Sequence, residues 1–376
     1  MSERVKTPIF QFGTSRFLQA HADLFIAEAL AKNEAAGRVA VVKTTDGSAR
    51  ADRLVGLTQE GGYPVRILGL ENGQPVDRTQ HVTSVAKTFS TSENWSELVE
   101  QFVSDAEYVI SNTGDKGYAA QPADGGPDFD QAMSFPAKLE QLLFARFEAN
   151  ARALTILPME LIVKNGAVLK ARVLEIALKR SPEFRNWLDA DVMWLDSLVD
   201  RIVSEPIEPA GAIAEPYALW AIERLDGFVP PVRHPCVKIV ESLEVSEALK
   251  LFILNLGHTY LADRWLTETS PPALVREYLD DTPALADLKD LYAVEVLPAF
   301  AAAGLQEQAE TYVATTLDRF RNPFLDHKIQ DIAGNHNEKI QRRIGDFIAW
   351  AHSKGCTAPK PRLAKIVKKS EDKEHV

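Results

Sequence analysis

Short apolar runs alternate with amphipathic stretches through the first part of the chain. Pro8-Ile9-Phe10-Gln11-Phe12 is followed by a turn, Gly13 to Phe17, and then by helical spacing of Phe17, Ala20, Leu24 and Ala27 to about Leu30. Val39 to Val42 is a continuous apolar run, the pattern of a strand covered on both faces of a parallel sheet. Alternation in Tyr63 to Leu70 and His81 to Val85 predicts hairpin strands. A helix near residues 94–104 leads into Tyr108-Val109-Ile110-Ser111. Beyond a loop rich in Pro, Gly and Asp at 121–130, a helix over 136–148 precedes the run Ala153 to Leu157. Strands alternating with helices predict a doubly wound, Rossmann-like parallel sheet of the α/β class.

After Asn165 the character changes to long helical patterns with few strand signals. Pro230-Pro231 and His234-Pro235 break helix continuity, and a domain boundary is expected near residue 230. The expected organisation is a dinucleotide-binding α/β domain over 1–230 and a mostly helical substrate domain over 231–376.

Composition narrows the classes. Of 376 residues, 45% are hydrophobic and 25% charged, ordinary globular values that exclude a mainly disordered chain. The net charge of −11 disfavours nucleic-acid binding. No apolar stretch is long enough to span a bilayer, and the opening Met1 to Lys6 is polar, without the apolar core of a signal peptide. The two cysteines, Cys236 and Cys356, do not amount to a disulfide framework, so a reducing cytoplasm is expected. The eight histidines are scattered without ligand spacing, so no metal is expected. Neither a nucleophile elbow nor an ATP-type phosphate loop is present.

Two places carry candidate chemistry. The first is the turn Gly13-Thr14-Ser15-Arg16-Phe17, set between a strand and a helix where a pyrophosphate can meet backbone N–H groups. Only the first of three fingerprint glycines is kept; Ser15 and Leu18 hold the other two positions. The second is the helical run Val245 to Trp265. At ~100° per residue, Lys250, Asn255 and His258 fall at about 0°, 140° and 80° on a helix otherwise apolar all round. Polar groups on a buried helix need partners or a cavity. A desolvated lysine can trade a proton with a substrate hydroxyl, while an amide and an imidazole hold the oxygen as charge develops. With a nicotinamide cofactor, this set interconverts an alcohol and a ketone without a metal.

The array Lys250-x4-Asn255-x2-His258 resembles that of the polyol-specific long-chain dehydrogenase/reductase family, which includes mannitol dehydrogenases and hexuronate-pathway oxidoreductases. Further stretches resemble it from about residue 8 to 345: Gln11-Phe12-Gly13, Ile110-Ser111-Asn112-Thr113, Ser134-Phe135-Pro136-Ala137-Lys138-Leu139, Leu157-Pro158-Met159-Glu160-Leu161-Ile162, Asn165-Gly166 and Arg319-Phe320-Arg321-Asn322-Pro323. Within the family they look most like the tagaturonate reductase, or altronate oxidoreductase, branch. The resemblance implies Lys250 as general acid/base and Asn255 and His258 on the reacting oxygen. Leu161 stands where mannitol dehydrogenases carry an oxygen-binding Asn, so those two residues or another donor must suffice.

The remaining candidates follow strand ends and cationic motifs. Asn112, Thr113, Glu160 and Asn165 are expected near a cofactor, against a capping role for the last two. Arg319, Asn322 and His327 are candidates for an anionic group on the substrate, because Arg offers a bidentate fork. Lys339, Arg342 and Arg343 read as a solvated face. At the end of the second strand Lys43, Thr44 and Thr45 precede the first acid, Asp46, with Arg50 and Arg53 further on. NAD is therefore expected with weak discrimination against NADP.

The leading expectation is an NAD(P)-dependent oxidoreductase of a linear sugar acid such as altronate, in a monomer or small homo-oligomer. A polyol or polyol-phosphate dehydrogenase is the runner-up. A non-catalytic nucleotide-binding regulator is the reading from another class, opposed by the intact Lys–Asn–His array.

Overall fold

The apolar runs of the N-terminal part assemble into one parallel sheet. A computed structural model describes residues 5–46, 51–114, 117–280 and 283–374. Its strands are β1 (Ile9–Phe12), β2 (Val39–Lys43), β3 (Tyr63–Glu71), β4 (Gln74–Val82), β5 (Val85–Ser90), β6 (Tyr108–Ser111), β7 (Thr155–Pro158) and β8 (Met193–Trp194). Six of these form a sheet in the order β5-β2-β1-β6-β7-β8. Neighbours are parallel, with Phe12 level with Val42 on one side and Ser111 on the other. Every residue of β1 and β2 is buried, which explains why both read as unbroken runs rather than alternating ones. Phe10, Phe12, Phe102, Leu139, Ile156 and Phe184 belong to the core packed on this sheet.

The chain divides into two compact units. The first comprises Met1–Ile67, Arg78–Ala214 and Ala218–Leu243; the second comprises Leu68–Asp77, Glu215–Tyr217 and Glu244–Val376. The break at Leu243–Glu244 lies beyond the proline-rich stretch near residue 230, because a last strand, Val237–Val240, still pairs with Leu219–Glu223 of the first unit. β3 and β4 form a hairpin, but its second strand is Gln74–Val82; the stretch His81 to Val85 read as that strand spans the end of β4 and the first residue of β5. Asn72 and Gly73 at the hairpin turn both take positive φ, 52° and 73°, as a two-residue type I′ turn requires. The tip of this hairpin is counted with the second unit.

Two expectations are corrected. Beyond Asn165 the first unit holds six short strands, among them Ser197–Asp200, Val203–Pro206, Ala212–Ala214 and Leu219–Glu223. At two to five residues each, with Pro206 closing one of them, they are too short to show a period. The single helix expected from Phe17 to Leu30 is instead two, Arg16–Gln19 and Ala22–Leu30. His21 breaks it at φ −129°, ψ −96°, where its ring lies stacked on Phe17 and against Phe25 and Nε2 donates to the Leu219 carbonyl at 2.9 Å.

The second unit is helical apart from its two short imports. Phe252, Ile253, Leu256, Leu288, Tyr292, Phe300 and Phe347 sit in its core. Among its described residues three helices contain a π-helical turn: Lys250–Asn255, Tyr292–Val296 and Gln341–Gly345. Such turns occur mostly as single insertions in α-helices and cluster at functional sites. Among the described residues no helix is long and apolar enough to cross a membrane.

Candidate active site

The first candidate region lies where the order of the parallel sheet reverses, between β1 and β6, at the carboxyl ends of the strands. Open α/β sheets bind their ligands at this switch point. Gly13, with φ +116°, turns the chain there. A Cβ at this position would come within 2.6 Å of the Asn112 carbonyl oxygen, so only glycine lets the two strand ends close on each other. The Ser15 hydroxyl donates to Asn112 Oδ1 at 3.2 Å, and Asn112 Nδ2 donates to the Met159 carbonyl at 2.9 Å. Gly13, Ser15, Asn112 and Thr113 are thus brought together, and the cradle suits a dinucleotide. Thr14 is buried, its carbonyl accepting from Gln19 and Arg53, and Phe17 covers His21.

Other residues expected at this end are held by protein groups. Arg16 Nη1 donates to the carbonyls of Ile207 and Gly211, and Nη2 pairs with Glu208 at 2.7 Å, so its guanidinium anchors a loop rather than presenting itself to a phosphate. Glu160 is buried and accepts from Ser111 Oγ, from both the N–H and the hydroxyl of Thr113, and from the Tyr118 hydroxyl. Asn165 is fully buried; it donates to the carbonyls of Pro158, Glu160 and Ser197 and accepts from the Gly166 and Ser197 N–H groups. Both residues shape the loops at the ends of β6 and β7. Thr44 and the exposed Asp46 follow the end of β2; Arg50 lies outside the described residues.

The second candidate region belongs to the helical unit. Lys250 and Asn255 are the first and last residues of the π turn. A turn closed i→i+5 takes up one extra residue, which rotates everything beyond it back by about 100° relative to a regular helix. Lys250, Asn255 and His258 then fall within about 60° of one another instead of spreading over 140°. Lys250 and Asn255 are half-buried, and His258 is 7% exposed. The His258 Nε2 is buried without a hydrogen-bond partner, and its ring packs on Phe320 and edge-on to His327 at 4.9 Å. Burial, then the nearby His327, Arg319, Arg343 and Lys339, hold the imidazole well below its usual titration range, so it is neutral at pH 7.

Asn255 lines a cavity of about 230 Å³ together with Leu251, Asn335, Glu338, Lys339, Arg342 and Arg343. The three cations, expected on a solvated face, therefore sit around Asn255. Arg343 Nη1 donates to the Thr259 hydroxyl at 3.2 Å, and that hydroxyl donates to the Asn255 carbonyl at 3.0 Å. Burial and Arg343 lower the Lys339 pKa, and burial and Arg342 lower that of Arg343, the mark of like charges crowded together. The signal was present in the spacing: residues 335, 338, 339 and 342 share one helical face. It was masked because Arg342 and Arg343 fall in a further π turn, which shifts the phase.

The motif around Arg319 does different work from that expected. Arg319 forms a bidentate pair with Glu215, at 3.0 and 2.8 Å, with side chains 3% and 2% exposed, and stacks on Tyr217. Asn322 Nδ2 donates to the Leu68 carbonyl and its Oδ1 accepts from Phe324 N–H. These two residues fasten the imported segments of the second unit. His327 packs edge-on against the His258 ring. Leu161 is 71% exposed.

Known proteins bear on both regions. The family described as Mannitol dehydrogenase Rossmann domain matches residues 7–229, and the Mannitol dehydrogenase C-terminal domain matches 242–366. An altronate oxidoreductase of Halalkalibacterium halodurans is 29% identical over 93% of this chain and 72% of its own length. One from Bacillus subtilis is 29% identical over 92% of this chain and 76% of its own. Among solved structures, a D-sorbitol dehydrogenase in substrate-free form matches with TM-score 0.76 at 18% identity, covering 92% of this chain and 76% of that one. The Pseudomonas fluorescens mannitol 2-dehydrogenase ternary complex with NAD and D-mannitol matches with TM-score 0.70 at 18% identity, covering 96% and 78%.

Proposed function

This chain belongs to the mannitol dehydrogenase family, and from that premise we propose that it is an NAD-dependent oxidoreductase interconverting a secondary alcohol and a ketone on a linear sugar acid of the altronate–tagaturonate type. The observation that carries the acid over a neutral polyol is the cavity at Asn255, ringed by Lys339, Arg342 and Arg343. A carboxylate entering it relieves the repulsion among these cations and gains charge-assisted hydrogen bonds, with the guanidinium fork of Arg343 suited to two oxygens. Glu338, in the same cavity, is placed to accept from a substrate hydroxyl.

In this reading Lys250 takes the proton of the reacting hydroxyl during oxidation and returns it during reduction. The Asn255 amide donates to the same oxygen, and neutral His258, with its unpartnered Nε2, supplies a second donor. Bound NAD supplies the hydride acceptor. Gly13, Ser15, Asn112 and Thr113 would hold that cofactor at the switch point of the sheet.

A panel of sugar acids, polyols and polyol phosphates, followed at the nicotinamide absorbance, tests the proposal. The expected result is a kcat/KM for one linear sugar acid at least tenfold above that for any neutral polyol, about 1.4 kcal/mol of transition-state discrimination. A neutral polyol turned over best would overturn the substrate assignment.

A further inference from the structure

The adenosine ribose of a dinucleotide lies at the carboxyl end of the second strand, where an acid commonly accepts both hydroxyls and repels a 2′-phosphate. Here that end reads Lys43-Thr44-Thr45-Asp46. Lys43 is 3% exposed within the sheet, and Arg53 is engaged with the Thr14 carbonyl at 3.2 Å. Among the described residues, a further cation reaches this end from elsewhere in the chain. Lys138, in the first turn of the helix Phe135–Ala149, donates from Nζ to the Thr44 carbonyl at 2.7 Å. The same oxygen accepts from Gln131 Nε2 at 3.0 Å and Thr91 Oγ1 at 3.3 Å.

A lysine at this position is costly on two counts. It is 3% exposed, and its charge lies near the positive end of a helix dipole. The acids acting on it are Asp130 and Asp124 from the preceding loop and Asp46 from the end of β2. Asp124 is itself tied to Arg172 at 2.6 Å and to Ser134, and Asp130 accepts the Ala132 N–H at 2.8 Å. Burial, only partly opposed by these carboxylates, brings the Lys138 pKa down to about 8.

We propose that Lys138 is a positioning residue for cofactor selectivity, its buried ammonium offsetting the charge of Asp46 so that a dinucleotide bearing a 2′-phosphate is accepted alongside NAD. This rests on the reading of the chain as a nicotinamide-dependent enzyme and adds to it which cofactor is tolerated and by what charge. The effect acts through Asp46 and the fixed Thr44 carbonyl. It therefore touches the 2′-phosphate and leaves the hydroxyl-bearing cofactor almost unaffected.

The test is direct binding of NADH and NADPH by fluorescence titration to wild type, Lys138→Met and Lys138→Arg, from pH 6.5 to 9.5. In wild type the ratio of NADPH to NADH affinity should fall roughly tenfold as pH rises through about 8 and the ammonium loses its charge, a size that a single charge acting across a partly solvated site can supply. Lys138→Met should show the low ratio at every pH, Lys138→Arg the high ratio at every pH, and Asp46→Asn in the Met background should restore NADPH binding. A pH-independent ratio in wild type overturns the proposal. So does an equal loss of both cofactors in Lys138→Met, which would make the residue merely structural. Failure of wild type to bind NADH at all would instead overturn the cofactor reading beneath it.

Discussion

Lys250 opens the π turn and is the one amine in the proposed proton path. Replacing it by Ala should lower turnover by ~10²–10⁴, the usual worth of general acid/base catalysis, while NADH binding stays within twofold of wild type. Steady-state kinetics with a parallel cofactor titration check this; near wild-type turnover would remove Lys250 from the mechanism. Asp23 presents a different residue-scale expectation. It is fully buried, with Tyr63 donating at 2.8 Å and Gln11 at 3.3 Å and no cation among the described residues bonded to it. Burial, only partly opposed by these hydrogen bonds, raises its carboxyl from the usual carboxylate range to about 7. Because the folded pKa lies above the unfolded one, folding retains a proton that the unfolded chain has released. Stability is then lost as pH rises from about 4 to about 7, by about 1.4 kcal/mol per unit, and is level above. Denaturant unfolding of Asp23→Asn should show this slope removed and higher stability than wild type at pH 8. A slope unchanged by the substitution would contradict the assignment.

The element that organises the site is the π turn itself. The Tyr292 hydroxyl donates to the Ile253 carbonyl at 2.9 Å, inside the turn. It reaches there only because residue 257 is glycine: a Cβ would lie 2.0 Å from the Tyr292 oxygen. Gly257→Ala should therefore cost about 1–3 kcal/mol by overpacking and reduce turnover more than Tyr292→Phe, which loses one hydrogen bond worth about 1 kcal/mol. Thermal unfolding and kcat of the two variants compare them; a silent Gly257→Ala would mean the turn does not depend on this contact. Lys250, Asn255 and His258 stood out because polar residues on an apolar helix demand an explanation. A regular 3.6-residue period already places them on one side, spread over about 140°; it carries no sign of the inserted residue that narrows the spread. Similarly, β1, β2, β6 and β7 were readable as buried runs, whereas strands of two to five residues around 193–223 offered too few positions to show a period. For Arg319 the sequence leaves an anion-binding fork and a surface helix end equally open, since it cannot show that Glu215, far away in the chain, pairs with it.

At the scale of the whole molecule, a net charge of −11 coexists with a concentrated cluster of cations at one cavity. An acidic surface repels anionic ligands in general, so an anion that binds here does so through local charge rather than long-range attraction. Raising ionic strength should thus leave kcat/KM for a sugar acid within about threefold, in contrast to a steered encounter, whose rate falls steeply with salt. If this local charge selects an acid as substrate, kcat/KM for the best sugar acid and for a neutral polyol of the same length should part company in Arg343→Gln. The substitution should lower the value for the acid by ~10–100-fold, the worth of a charge-assisted hydrogen bond or two, while the polyol changes by less than threefold. Equal losses on both substrates, or no loss on the acid, would contradict selection by this charge.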